Sequence, residues 1–210
     1  YLIKPIDFHT KKGYLINTSS KADPVNGEIL GARSEKMNIW YVIGFLVLGY
    51  LIGSVSFARI ISRIVSPTTN LDNIAIESYK DGTKTIMPGA SATTASIALG
   101  PKIGGAAAIM DILKGLLPTL AVRLLFPNEI YFLFTGAGTV IGHVRPLFYK
   151  FRGGWGVSPM LGTFFALDPI GVIVTNVAAL LLGLYVFKDI FVISAGGTAL
   201  MIIWLLVVTG

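Results

Sequence analysis

The sequence contains no cysteine, which excludes disulfide scaffolding, thiol catalysis and thiolate metal sites. Histidine is nearly as scarce: His9 and His143 are the only two, far apart along the chain, and they form no cluster to seat a metal ion. No metal or other cofactor is expected. Charge is thin as well, at 13% of residues against 53% hydrophobic, and no stretch interleaves bases with aromatics, so no nucleic-acid partner is expected. Acids are the scarcer sign, 11 against 17 Lys and Arg, for a formal net charge of +6. In so apolar a chain such an excess records membrane topology and contact with anionic lipid.

What the chain has is long apolar runs. Several approach the roughly 20 residues that a helix rising about 1.5 Å per residue needs to cross about 30 Å of hydrocarbon. The expected fold is an all-α, polytopic helical membrane protein. Spans are expected at about 39–61, 103–126, 130–149, 170–187 and 190–208 of the 210 residues. Val157 to Leu167 reads as a sixth, shorter helix of about 16 Å, closed by Asp168-Pro169. Residues 1–36 form a separate polar tail with six Lys or Arg and four acids, and no apolar core follows its early charges until Ile39, unlike a signal peptide. The membrane domain is placed at 37–210. Tyr1 in place of methionine is what a processed chain, or a piece of a longer one, would show.

Four stretches carry polar or glycine-rich chemistry into this apolar background. The first span ends in Gly53-Ser54-Val55-Ser56-Phe57-Ala58, where a serine ordinarily packs or back-bonds to the preceding turn. Residues 66–101 make a connection too long to be idle; its second half, Ile86 to Gly100, is uncharged and built of small residues, as in a re-entrant segment or a tightly packed helix. Asp111 and Lys114 stand three apart on the second span and share a face, either as a structural ion pair or as functional groups at membrane depth. Gly142 to Gly162 reads GHVRPLFYKFRGGWGVSPMLG, with His143, Arg145, Lys150 and Arg152 beside Gly153, Gly154 and Gly156. Glycines let a backbone turn sharply, and the helix start at Val157 exposes N–H groups, so this turn is expected to bind phosphate or carboxylate.

Charge also sets an orientation. The connection Pro127-Asn128-Glu129 holds no Lys or Arg, whereas the one after span three holds Arg145, Lys150 and Arg152. By the positive-inside rule the glycine-rich turn and the 66–101 connection are cytoplasmic and the tail is outside, although the tail's six bases pull the other way.

The Gly142–Gly162 stretch resembles the second motif of the acyl-phosphate:glycerol-3-phosphate acyltransferases, the PlsY family of bacterial membrane enzymes, whose pattern is close to GHxFPxFxxFKGGKGVATxLG. Gly142, His143, Pro146, Phe148, Phe151, Gly153, Gly154, Gly156, Val157, Leu161 and Gly162 fall in register. Gly53, Ser54 and Phe57 match the family's GSIPFG, and the DILKG string followed by Pro118 is similar as well. The family's GSGNxGATN loop is matched only at Ala92 and Thr93, with Thr94 in place of asparagine; an upstream family arginine has no placed counterpart, which leaves Lys80 or Lys84 to supply charge. The family's lysine between the glycines, on the substrate phosphate, is Trp155 here. A further crossing and a third motif of the type HxENIxRL have no counterpart before Gly210, so the sequence is either a truncated piece or lacks part of the family's site.

The resemblance implies seven spans in the family, a bacterial-type plasma membrane, and transfer of a fatty acyl group from acyl phosphate to glycerol 3-phosphate without a covalent enzyme intermediate. Acyl phosphate, glycerol 3-phosphate and membrane lipid are the implied partners. It implies catalytic hydrogen bonding by Ser54 and His143, and substrate binding by Thr93, Lys150, Arg152, Gly153, Gly154 and Gly156. Two other readings stay open. One is a non-catalytic relative that binds lipid or an anionic headgroup, favoured by Trp155, the eroded 88–94 loop and the missing third motif. The other is a small transporter with Asp111, Lys114 and the break at Asp168-Pro169 as its polar midplane, though no inverted repeat is visible.

Overall fold

The computed structural model describes residues 37–77, 84–188 and 190–209; the tail 1–36 and Lys80 lie outside the described residues. Eight α-helices are described: α1 (Ile39–Gly53), α2 (Phe57–Val65), α3 (Ala92–Leu99), α4 (Pro101–Leu125), α5 (Tyr131–Val144), α6 (Val157–Leu167), α7 (Pro169–Leu181) and α8 (Ile190–Thr209). A 3₁₀ turn at Leu147–Tyr149 follows α5, and a π turn at Leu182–Phe187 extends α7. Among the described residues, 39–65, 101–125 and 169–187 are long and apolar enough to cross a bilayer, and 157–167 and 195–208 are shorter apolar helices. The chain is therefore a helical membrane protein, as its composition requires.

Two departures from the expected layout matter for the site. The first span is not continuous: α1 ends at Gly53, and α2 restarts at Phe57 with Ala58, Arg59 and Ser62 turned inward. An uncharged run gives no sign of such a break. The 66–101 connection, in turn, is not all loop and helix. Asn73–Glu77 (β1) and Lys84–Pro88 (β2) pair antiparallel, from Asn73 opposite Pro88 to Glu77 opposite Lys84. Alternation of isoleucine with small or polar residues in Asn73-Ile74-Ala75-Ile76-Glu77 fits a strand, a signal masked by the polarity of the surrounding segment. Its uncharged end becomes α3, started by a capping box in which Ser91 and Thr94 bond each other's backbone N–H. α3 packs on α4, and Ala95 and Ala107 of the two helices share one buried cluster with Ala58 of α2 and with Leu71 and Ala90 of the connection.

Elsewhere helices meet through missing side chains. A Cβ at Gly49 or Gly53 of α1 would collide with the carbonyls of Thr135 or Thr139 on α5, and one at Gly138 or Gly142 would collide with those of Leu46 or Tyr50. The two backbones thus touch along most of their length, the small-residue mode of packing in membranes. α4 and α6 meet likewise, Gly115 against the Pro159 carbonyl and Gly162 against that of Ile112.

The short α6 can stop early because its end is satisfied. Arg123 of α4 donates Nη1 to the carbonyls of Ala166 and Leu167. Asp168 then caps α7, accepting from Gly171 N at 3.0 Å and from Trp204 Nε1 at 2.8 Å. Helix termini left bare at membrane depth would cost heavily.

Candidate functional site

The break after α1 creates the site. Ser54 is fully buried; its Oγ donates to the Tyr50 carbonyl at 2.8 Å and accepts from Leu147 N at 3.2 Å. It therefore staples the last turn of α1 to the 3₁₀ turn that follows α5. The neighbouring Val55 carbonyl, outside any helix, accepts from Lys114 Nζ at 2.7 Å. Lys114 lies 2.8 Å from Asp111 Oδ1, and His143 Nδ1 lies 3.6 Å from the same oxygen. All three side chains are buried. Lys114 thus has an anionic partner on one side and a backbone dipole on the other, the satisfaction that a buried ammonium requires.

The glycine-rich turn closes over this group. Phe151 N donates to the Pro146 carbonyl at 3.0 Å and Arg152 N to that of Tyr149 at 3.0 Å, while Gly154 N donates to the His143 carbonyl at 3.2 Å. Any side chain at Gly154 would strike the His143 ring at Nε2, so only glycine lets the turn lie on the imidazole. Gly89, at φ 93°, sits against the Gly153 carbonyl and brings the end of the hairpin onto the turn. Gly156, at φ 83°, opens α6 at Val157. Ser54, Val55, Ala90, Lys114, His143 and Gly153 are among the residues lining a narrow crevice with no room for a water molecule.

The structure brings together some of the expected residues and not others. Ser54, Asp111, Lys114, His143, Gly153 and Gly154 converge, although the sequence separates them widely. Thr93 is exposed on the first turn of α3 and does not line the crevice; its neighbours Ser91 and Thr94 are the buried ones, and their hydroxyls serve the helix start. Lys150 and Arg152 lie on the turn with exposed side chains, and Trp155 is exposed at 64%. Gly156 is buried at the start of α6.

Arg59 joins the site from α2 although it belongs to none of the sequence motifs. It pairs with Asp72, donates Nη2 to the Arg152 carbonyl at 2.7 Å, and lies 4.4 Å from the centroid of the Tyr149 ring. Its position three residues before Ser62, on the face of α2 that also buries Ala58, is the sequence trace that an inward arginine leaves.

Chemically, the arrangement sets a fixed ammonium and an oriented imidazole beside a short helix start flanked by exposed bases. Such a site can hold an anion and stabilise charge that develops next to it.

A family model described as Glycerol-3-phosphate acyltransferase matches residues 43–209. Proteins named glycerol-3-phosphate acyltransferase are similar at 35% identity over 127 residues in Aquifex aeolicus, covering 60% of this chain and 59% of that protein. In Albidiferax ferrireducens the identity is 31% over 164 residues, covering 76% and 67%; in Thermotoga petrophila it is 33% over 137 residues, covering 65% and 63%. The chain thus spans about three fifths to two thirds of the length of these relatives. The crystal structure of PlsY, an integral membrane glycerol 3-phosphate acyltransferase, in its glycerol 3-phosphate form superposes with a TM-score of 0.64 at 28% identity, covering 79% of this chain and 76% of that one. The lysophosphatidic acid form of that enzyme gives a TM-score of 0.62.

Proposed function

The chain belongs to the glycerol-3-phosphate acyltransferase family, and from that premise we propose that it is a membrane acyltransferase of phospholipid synthesis. It moves a fatty acyl group from acyl phosphate to the 1-hydroxyl of glycerol 3-phosphate and releases lysophosphatidic acid and inorganic phosphate. One observation carries the reading: three motifs distant in sequence, GSVSF, DILKG and GHVRPLFYKFRGGWG, meet at one narrow crevice with Lys114 and His143 in its wall.

The residues divide the work as follows. The phosphate of glycerol 3-phosphate rests on the start of α6, held by the Gly153 and Gly156 amides and by the exposed Arg152 and Lys150 side chains. The Gly154 amide is already spent on the His143 carbonyl. His143, its Nδ1 side facing Asp111, hydrogen-bonds the reacting groups; Lys114 steadies the oxyanion that forms as the hydroxyl attacks the acyl carbon and the acyl–phosphate bond breaks. Ser54, which already donates to the Tyr50 carbonyl and accepts from Leu147 N, shapes the wall. The acyl chain lies between the spans, and the site faces the cytoplasm.

A non-catalytic relative that binds an anionic headgroup is the second reading, favoured by Trp155 where the family places its phosphate lysine. Glycerol 3-phosphate binding and acyl transfer measured together separate the two. The acyltransferase reading expects Arg152→Ala to weaken both and Trp155→Lys to retain or raise transfer. Binding without transfer by the wild-type protein supports the second reading instead.

A further inference from the structure

The glycine-rich turn contains two residues with side chains in the left-handed region, Lys150 at φ 52° and Phe151 at φ 59°. Side chains disfavour that conformation, and it persists only where the surroundings over-determine it. The residues that bracket this pair are Tyr149 and Arg152, and Arg59 grips both. Its guanidinium lies 4.4 Å from the centroid of the Tyr149 ring, and its Nη2 donates to the Arg152 carbonyl at 2.7 Å. Asp72, just before β1, holds the guanidinium in place, and the side chain is only 8% exposed. A flat, permanently charged fork can bond a carboxylate, a carbonyl and an aromatic face at once, which an ammonium cannot do with the same geometry.

We propose that Arg59 is a positioning residue that fixes the glycine-rich turn in its anion-binding shape. The inference rests on the acyltransferase reading for what the turn holds, and on geometry alone for the lock. Arg59 acts through Arg152, whose carbonyl it fixes immediately before Gly153, and through Tyr149. Without it the Lys150–Phe151 pair relaxes toward ordinary dihedral angles and the turn that leads into α6 loosens.

Hydrogen exchange at the amides of Phe151 and Arg152, which donate to Pro146 and Tyr149, reads the lock without reference to activity. Arg59→Gln should speed exchange at those two amides on the order of tenfold, the loss expected for charge-assisted bonds, and leave the middle of α5 unchanged. The Michaelis constant for glycerol 3-phosphate should rise by a similar factor with kcat changed less than about twofold, since binding and not the chemical step is loosened. The charge-exchanged double variant, Arg59→Asp with Asp72→Arg, should recover folded yield and leave the turn fast-exchanging, because the pair is restored while the grip on Arg152 and Tyr149 is not. Unchanged exchange in Arg59→Gln, or wild-type protection in the double variant, overturns the proposal. Should Arg59→Gln not fold, Tyr149→Leu removes one grip without touching the ion pair; slower but still measurable loosening at the same amides is expected, and none overturns it. Wild-type protein that transfers no acyl group sinks the acyltransferase reading, while the exchange data decide the role of Arg59 by themselves.

Discussion

Asp111 and Lys114 show what a charge needs in order to survive inside a membrane protein. Lys114 has one carboxylate and one carbonyl, and Asp111 has Lys114 beside it with His143 nearby. Removing either partner leaves the other buried and unpaired, a loss of roughly 3–5 kcal/mol by analogy with other buried pairs. Asp111→Ala and Lys114→Ala should each lower folded yield strongly, and the double variant should lose less than the two singles combined. Thermal unfolding in detergent checks this, and strict additivity would refute the coupling. Ser54→Ala should be milder, about 1–2 kcal/mol, because it deletes one hydroxyl between the Tyr50 carbonyl and Leu147 N. The spacing of Asp111 and Lys114 made their shared face legible in the sequence. Their third partner was not legible, since the Val55 carbonyl is free only because the helix breaks at Ser54, and nothing in an uncharged run announces that break.

Helices here are bounded by particular residues, and where those residues have local signatures the elements could be read in advance. Gly156 and Asp168-Pro169 delimit α6 at Val157–Leu167, and the sequence shows both. The hairpin is not legible because its strands are short and lie within a polar segment, and α3 is one of two forms that its small, uncharged residues allow. Asp168 is a local device with a long-range part: besides capping α7 it accepts from Trp204 of α8. Asp168→Ala should therefore cost more than the roughly 1 kcal/mol typical of a lost cap, and Trp204→Phe only a part of that. Equal losses in the two variants would mean that the cap itself contributes nothing. The expectation that Thr93 binds substrate came from the family pattern alone, and the first turn of α3 exposes it beside the buried Ser91 and Thr94.

At the scale of the whole molecule, the close approach of Gly89 to Gly153 puts the hairpin end and the glycine-rich turn at one end of the bundle, while Asn128 lies beyond the far end of the 25-residue α4. An aromatic cluster of Tyr41, Phe45, Phe126 and Tyr131 marks that far end, as aromatics do at a membrane interface. With Arg145, Lys150 and Arg152 on the site's end and no Lys or Arg in Pro127-Asn128-Glu129, the site should be cytoplasmic. A cysteine introduced at Asn128 should react with an impermeant reagent on intact cells, and one at Arg152 should not; the reverse labelling would invert the protein. The most direct test of the function is the product. Wild-type protein in liposomes, supplied with an acyl phosphate and labelled glycerol 3-phosphate, should form lysophosphatidic acid, and Lys114→Met that still folds should form far less. Labelled glycerol 3-phosphate bound at the site but never acylated would contradict the account.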